Sequence, residues 1–105
     1  MRRGELWWAD LEPPAGQRPV LLLSRDEAYT VRALVIVSPV TTRVRNIPTE
    51  VPLDQEQGLP RASVVNLDVL LTIPKNGLRE RIGALPPTLL ARVEAALRFA
   101  LALER

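Results

Sequence analysis

A chain of 105 residues, 47% of them hydrophobic and with a net charge of +2, has room for one modest core and is too short for two. It contains no histidine and no cysteine, which excludes imidazole acid–base catalysis, His-ligated or thiolate metal sites and any disulfide framework. Every basic residue except Lys75 is arginine, whose planar fork suits phosphate and stays charged. With a pI near 9.9, nucleic-acid binding is permitted rather than indicated by charge alone.

Met1-Arg2-Arg3 runs into Gly4-Glu5 where a signal peptide would need an apolar core, so no export signal is expected and the chain reads as cytoplasmic. No apolar run approaches the roughly 20 residues of a bilayer span, so no membrane association is expected. Glu5 to Asp10 reads as a strand with Leu6 and Trp8 on one face and Trp7 and Ala9 on the other. One tryptophan is expected in the core and the other on a rim or partner surface, because an indole N–H wants a polar neighbour.

Pro13, Pro14 and Gly16 then set a loop, and Val20 to Leu23 is an apolar run bounded by Pro19 and Ser24, suited to a strand buried on both faces. Arg18 stands at the root of that strand. It reads either as a solvated loop arginine or as a cation held rigidly enough to face an anion. Arg25 to Tyr29 is expected to form a turn of helix. Ala33 to Val37, apolar and β-branched, predicts a central strand. Pro39, which cannot donate to a ladder, marks an edge or bulge near its end. The following Thr41-Thr42-Arg43-Val44-Arg45-Asn46 reads equally as a phosphate-contacting loop, rich in hydroxyl and guanidinium donors, or as a polar hairpin connection.

Thr49 to Leu53 predicts a short edge strand and Gln55 to Ala62 a loop punctuated by Gly58 and Pro60. Ser63 to Asp68 predicts a strand with Val65 and Leu67 inward and Asn66 and Asp68 sharing the outer face, continuing through Val69 to Ile73. A last short strand is expected over Leu78 to Leu85. From Pro87 to about Leu103, Leu90, Val93, Leu97 and Leu101 recur at helical spacing, with Pro87 suited to the first turn. Strands followed by a terminal helix predict a small, mainly β (α+β) or barrel-like fold, with residues 1–105 as one domain.

The blocks Arg3-Gly4-Glu5-Leu6-Trp7, Asp10-Leu11-Glu12-Pro13, Arg18-Pro19-Val20-Leu21, Val35 to Thr41, Gly58-Leu59-Pro60 and Ser63 to Asp68 together resemble the MazF/PemK toxins of bacterial type II toxin–antitoxin systems. The resemblance covers essentially the whole chain. It implies a small SH3-like barrel of the PemK/MazF/CcdB type with a C-terminal α-helix, working as a homodimer. It implies metal-independent, cofactor-free, sequence-specific cleavage of single-stranded RNA to a 2′,3′-cyclic phosphate and a 5′-hydroxyl. It also implies a cognate antitoxin whose acidic tail fills the RNA groove, with operator DNA bound only through the antitoxin complex. The family's catalytic arginine and threonine fall on Arg18 and Thr41, and a catalytic aspartate of some relatives falls on Asp68. Three positions depart from the pattern: only Gln17 separates Gly16 from Arg18 where members have a longer loop. Asn66 replaces the arginine of one relative's Arg-x-Asp pair, and Leu71 the arginine that usually precedes Thr-Ile.

In-line attack by a 2′-hydroxyl needs a base for that hydroxyl, an acid for the 5′-oxygen and charge for the phosphorane oxygens. Arg18 suits the third role and can feed a proton to the leaving group, while the Thr41 hydroxyl can hold a non-bridging oxygen. Arginine, with a pKa above roughly 12, is a poor proton acceptor, which leaves Asp68 as candidate base or as a base-reading residue. Gln17, Thr42, Arg43 and Asn66 are expected to bind substrate, Asn66 and Asp68 by reading the edges of splayed bases. The competing readings are a CcdB-like gyrase poison and a degenerate toxin that binds antitoxin and operator DNA without cutting. Against the first, Leu101 to Arg105 offers only amphipathicity.

Overall fold

In the computed structural model, which describes residues 1–103, the hub is β3 (Leu34–Thr41), the apolar run expected at the centre. On one side it pairs with β2 (Gln17–Leu22), Val20 opposite Pro39 and Leu22 opposite Val37. On its other side the partner changes along its length. β6 (Leu71–Pro74) pairs with residues 34–37, and β5 (Ser63–Asn66) with Val40 and Thr41. Pro39 falls in the gap between these two partners, where a missing N–H leaves no ladder bond unmade. Buried Ser38 closes the gap by donating its hydroxyl to the Val69 carbonyl at 2.7 Å.

β4 (Glu50–Leu53) forms the edge beyond β5, as expected, while β1 (Glu5–Asp10) lies beyond β2 and β7 (Leu78–Ala84) beyond β1. All pairings are antiparallel. The two faces of the sheet carry separate clusters, following strand alternation. Leu6, Leu21, Val40, Val65 and Leu67 lie inside the curl with Val93 and Ala96 of the terminal helix; Ala9, Val20, Leu22, Val35 and Val37 form the second cluster. The result is a mainly β half-barrel closed by a C-terminal helix.

α1 (Ala28–Val31) begins later than the expected helical turn, after a turn at residues 26–27. α2 (Pro87–Ala100) has its proline in the first turn and stops short of the expected end. Ala102 adopts φ +56, and the Leu103 N–H returns to the Arg98 carbonyl at 2.8 Å, a left-handed cap that satisfies the last carbonyls. Glu104 and Arg105 lie outside the described residues. No helix among the described residues is long and apolar enough to cross a membrane.

One expectation is corrected. The strand beginning at Ser63 does not run on to Ile73: β5 ends at Asn66, whose side-chain oxygen accepts the Asp68 N–H at 3.0 Å. This Asx turn competes with the ladder and breaks the strand. Asn66 and Asp68 therefore do not share one strand face.

Candidate active site

The site is built where the β2–β3 ladder ends. The register that sets Val20 against Pro39, carried two residues outward, puts Arg18 across from Thr41. The loop before β2 turns back tightly: the Leu11 N–H donates to the Gly16 carbonyl at 2.9 Å and the Ala15 N–H to the Glu12 carbonyl at 3.1 Å. Gly16 makes the turn at φ +63 with open space around its Cα, so glycine serves conformation there rather than close packing. Arg18 is half-buried, its Nε 3.4 Å from the Ala15 carbonyl. The Thr41 hydroxyl oxygen accepts the Arg43 N–H at 3.1 Å, which bends the chain away from the strand and brings the following arginines alongside.

Arg18 and Thr41 form the ridge between two clefts and line both. The first, about 250 Å³, also has Gln17, Thr42, Arg61 and the half-buried Trp8 on its walls. The second, about 550 Å³, adds Arg43, Arg45, Asn66 and Leu71. Among the described residues, the guanidinium groups of Arg18, Arg43, Arg45 and Arg61 have no carboxylate within 4.0 Å. Elsewhere, Arg3 pairs with Glu94, Arg79 with Asp10 and Arg81 with Glu5. Four cations with no carboxylate partner thus sit around one ridge, the electrostatic footprint of a polyanion. A further cleft of about 390 Å³, across Ala15, has Asp10 and Glu12 as its charged lining and offers a phosphate no such welcome.

Six of the seven residues singled out from sequence come together here: Arg18 and Thr41 on the ridge, Gln17 and Thr42 in the first cleft, Arg43 and Asn66 in the second. Asp68 lines neither cleft; its Oδ2 accepts the Thr49 hydroxyl at 2.6 Å. Sequence reasoning left out Arg61, which reaches the ridge from the loop after Gly58, and left Trp8 only as one of two candidates for a rim. Two groups away from the clefts have shifted titrations. Burial of Glu5 opposes its ionisation, but hydrogen bonds from Trp7, the Arg2 N–H and Arg81 outweigh it and hold the carboxyl below its usual range. Burial pushes the Tyr29 hydroxyl up to about 12.

Fold and clefts define a small curled β-barrel with an arginine and a threonine at the centre of a cationic groove. Residues 2–101 match the family described as PemK-like, MazF-like toxin of type II toxin–antitoxin system. The probable endoribonuclease MazF2 of Mycobacterium tuberculosis is 42% identical over 100 residues, spanning 93% of this chain and 95% of the relative. Among solved structures, the M. tuberculosis toxin MazF-mt6 superposes with a TM-score of 0.89 at 36% identity, covering 96% of this chain and 99% of that one. An endoribonuclease in complex with its cognate antitoxin, from a mycobacterial species, superposes with a TM-score of 0.88 at 30% identity, covering 100% of this chain and 98% of that one. The chain belongs to the PemK-like, MazF-like toxin family.

Proposed function

We propose that this chain is the endoribonuclease toxin of a type II toxin–antitoxin pair, cutting single-stranded RNA at short sequences without a metal ion. The observation that carries the reading is the ridge itself: Arg18 and Thr41 shared by two clefts and flanked by the uncompensated Arg43, Arg45 and Arg61. The RNA backbone crosses the ridge with its scissile phosphate over Arg18 and a nucleotide in each cleft. The 2′-oxygen attacks the adjacent phosphorus, the new O2′–P bond forming as the P–O5′ bond breaks. The 2′-hydroxyl loses its proton and the departing 5′-oxygen gains one, which leaves a 2′,3′-cyclic phosphate and a 5′-hydroxyl. Arg18 neutralises the charge building on the non-bridging oxygens and donates toward the 5′-oxygen, and Thr41 donates its hydroxyl to a non-bridging oxygen.

Trp8 offers an aromatic wall on which a base can stack in the first cleft, beside Gln17 and Thr42, and such stacking tolerates any base. Asn66 reads a base edge in the second cleft. Asp68 is assigned neither to proton transfer nor to base reading, because it lines neither cleft and its carboxylate accepts the Thr49 hydroxyl. Leu71, where relatives place an arginine, gives the second cleft an apolar wall and so a base preference of its own. We assign the same fold to a cytoplasmic homodimer, with a cognate antitoxin whose acidic segment competes for the cationic groove and through which alone operator DNA is bound.

The test is to incubate the purified protein with a long single-stranded RNA in the presence of EDTA and map the new 5′ ends. Discrete cuts bearing 5′-hydroxyls, abolished by Arg18→Ala, are expected. RNA left intact by the parent protein, or cut as fast by Arg18→Ala, overturns the assignment. A supercoiling assay then separates a gyrase poison from a toxin that only binds its antitoxin.

A further inference from the structure

The loop that carries Arg43 and Arg45 has a tether that the proposed reaction does not use. Residues 42–48 are exposed and pair with no strand, yet two of their cations line the second cleft. A flexible loop would spread those cations through solvent. Glu50, the first residue of β4 and the ladder partner of Asn66, reaches back over the loop. Its Oε1 accepts the Arg45 N–H at 2.9 Å and the Asn46 N–H at 3.0 Å. Successive N–H groups converging on one anion form a nest, a shape made by a left-handed residue in the turn. Asn46 supplies it at φ +58, a conformation asparagine tolerates better than most residues.

Glu50 is only 9% exposed and its second oxygen, Oε2, is buried with no hydrogen-bond partner. No cation lies within 4.0 Å of it among the described residues. Burying a carboxylate is costly unless it is paired or hydrogen-bonded, and here its only bonds are to the loop backbone. A structural ion pair is therefore not its role. The far end of the loop is fixed too, through the Thr49 hydroxyl on Asp68 and the Glu50 N–H on the Ile47 carbonyl at 3.0 Å. Both arginines are thereby carried on a backbone pinned to the edge of the sheet.

We propose that Glu50 is a positioning residue for RNA binding, its buried carboxylate holding the 43–46 backbone so that Arg43 and Arg45 face the second cleft. This rests on the reading of that cleft as part of the RNA groove. The test uses the cleavage-silent Arg18→Ala protein and a short single-stranded RNA, and measures affinity and its salt dependence for Glu50→Ala, for Arg43→Ala with Arg45→Ala, and for all combined. The arginine pair is expected to weaken binding at least tenfold. Glu50→Ala should weaken it by a comparable factor and flatten the salt dependence, and the combination should bind no worse than the arginine pair alone.

Losses that simply multiply, or a folded Glu50→Ala protein that binds like its parent while the arginine pair does not, overturn the proposal for Glu50. Parental binding by the arginine pair instead refutes the reading of the cleft and the proposal with it. If Glu50→Ala does not fold, Glu50→Gln decides the matter. Its carbonyl can replace Oε1 without the charge that strengthens the two N–H bonds, so binding should fall part of the way. A parental affinity and salt dependence for Glu50→Gln would then overturn the proposal.

Discussion

The uncompensated cations make a quantitative prediction about salt. Each guanidinium that neutralises an RNA phosphate releases condensed counterions, so log affinity falls against log salt by about 0.7 per contact on a single strand. In the cleavage-silent Arg18→Ala background, Arg43, Arg45 and Arg61 remain along one protomer's clefts, which predicts a slope of about −2. Raising salt from about 50 to about 200 mM should then weaken binding of a short oligonucleotide about 20-fold. Removing Arg61 as well should flatten the slope to about −1.4, and removing Arg43 and Arg45 instead to about −0.7, where the same salt jump costs only about threefold. Fluorescence anisotropy across a salt series reads these slopes directly. A slope that does not move when Arg43 and Arg45 are removed would show that those side chains do not lie on the RNA path, and the cationic-ridge argument would fail.

Trp8→Ala should behave in the opposite way. Stacking on an aromatic side chain is worth about 1–3 kcal/mol per base, so binding should weaken by about five- to 150-fold with the salt slope unchanged; a changed slope would mark a disturbed backbone path instead. Two glycines separate strain from clash, measured by urea denaturation. Gly16→Ala meets open space at φ +63 and should cost only about 1–2 kcal/mol of left-handed strain. Gly58→Ala at φ +97 would place its Cβ 2.6 Å from the Ile82 carbonyl oxygen and should cost clearly more; equal losses would refute the distinction. Tyr29, with its hydroxyl raised to about 12 by burial, favours the fold in its neutral form. Its contribution is complete below the unfolded value near 10 and is lost as pH rises through about 12, so alkaline unfolding should move to higher pH in Tyr29→Phe if that variant folds as well as the parent at neutral pH.

Those predictions draw on a fold whose strands were largely legible in the sequence, and the reasons are local. Val20 to Leu23 is apolar on both faces, and both faces do bury into separate clusters. In Ala33 to Val37, by contrast, only the Val35 and Val37 face is buried, and Leu34 and Ile36 are exposed. Pro39 was legible as an interruption but not as what it is, the point where β3 exchanges β6 for β5, because partner choice is a long-range property that no window of sequence carries. The break after Asn66 was missed for a different reason. Val65, Leu67 and Val69 alternate as a strand should, and the Asx turn that ends β5 depends on one side chain competing with the ladder. Alternation is a statement about burial, and Leu67 stays fully buried while its backbone enters the turn.

The same distinction explains which parts of the site could be read. Arg18 and Thr41 each stand at the end of an apolar run, so the physics that places the strands also places the pair, one opposite the other on adjacent strands. Because side chains alternate along a strand, a slip of one residue between β2 and β3 would move Val20 and Leu22 out of their cluster. Burial thus forbids the slip that would separate Arg18 from Thr41, and the core fixes the geometry of the ridge. Trp8 follows from the same ladder one strand further out, its β2 partner being Pro19, and alternation had set it on the Leu6 face without saying what lay there. Arg61 and Glu50 had no such route: one arrives on a loop closed by the Gly58 turn, the other acts through backbone N–H groups four and five residues before it. Residues that touch the ridge through strand register can be inferred from runs and periods; those that hold or reach it through loops become visible only when the loop's hydrogen bonds are known.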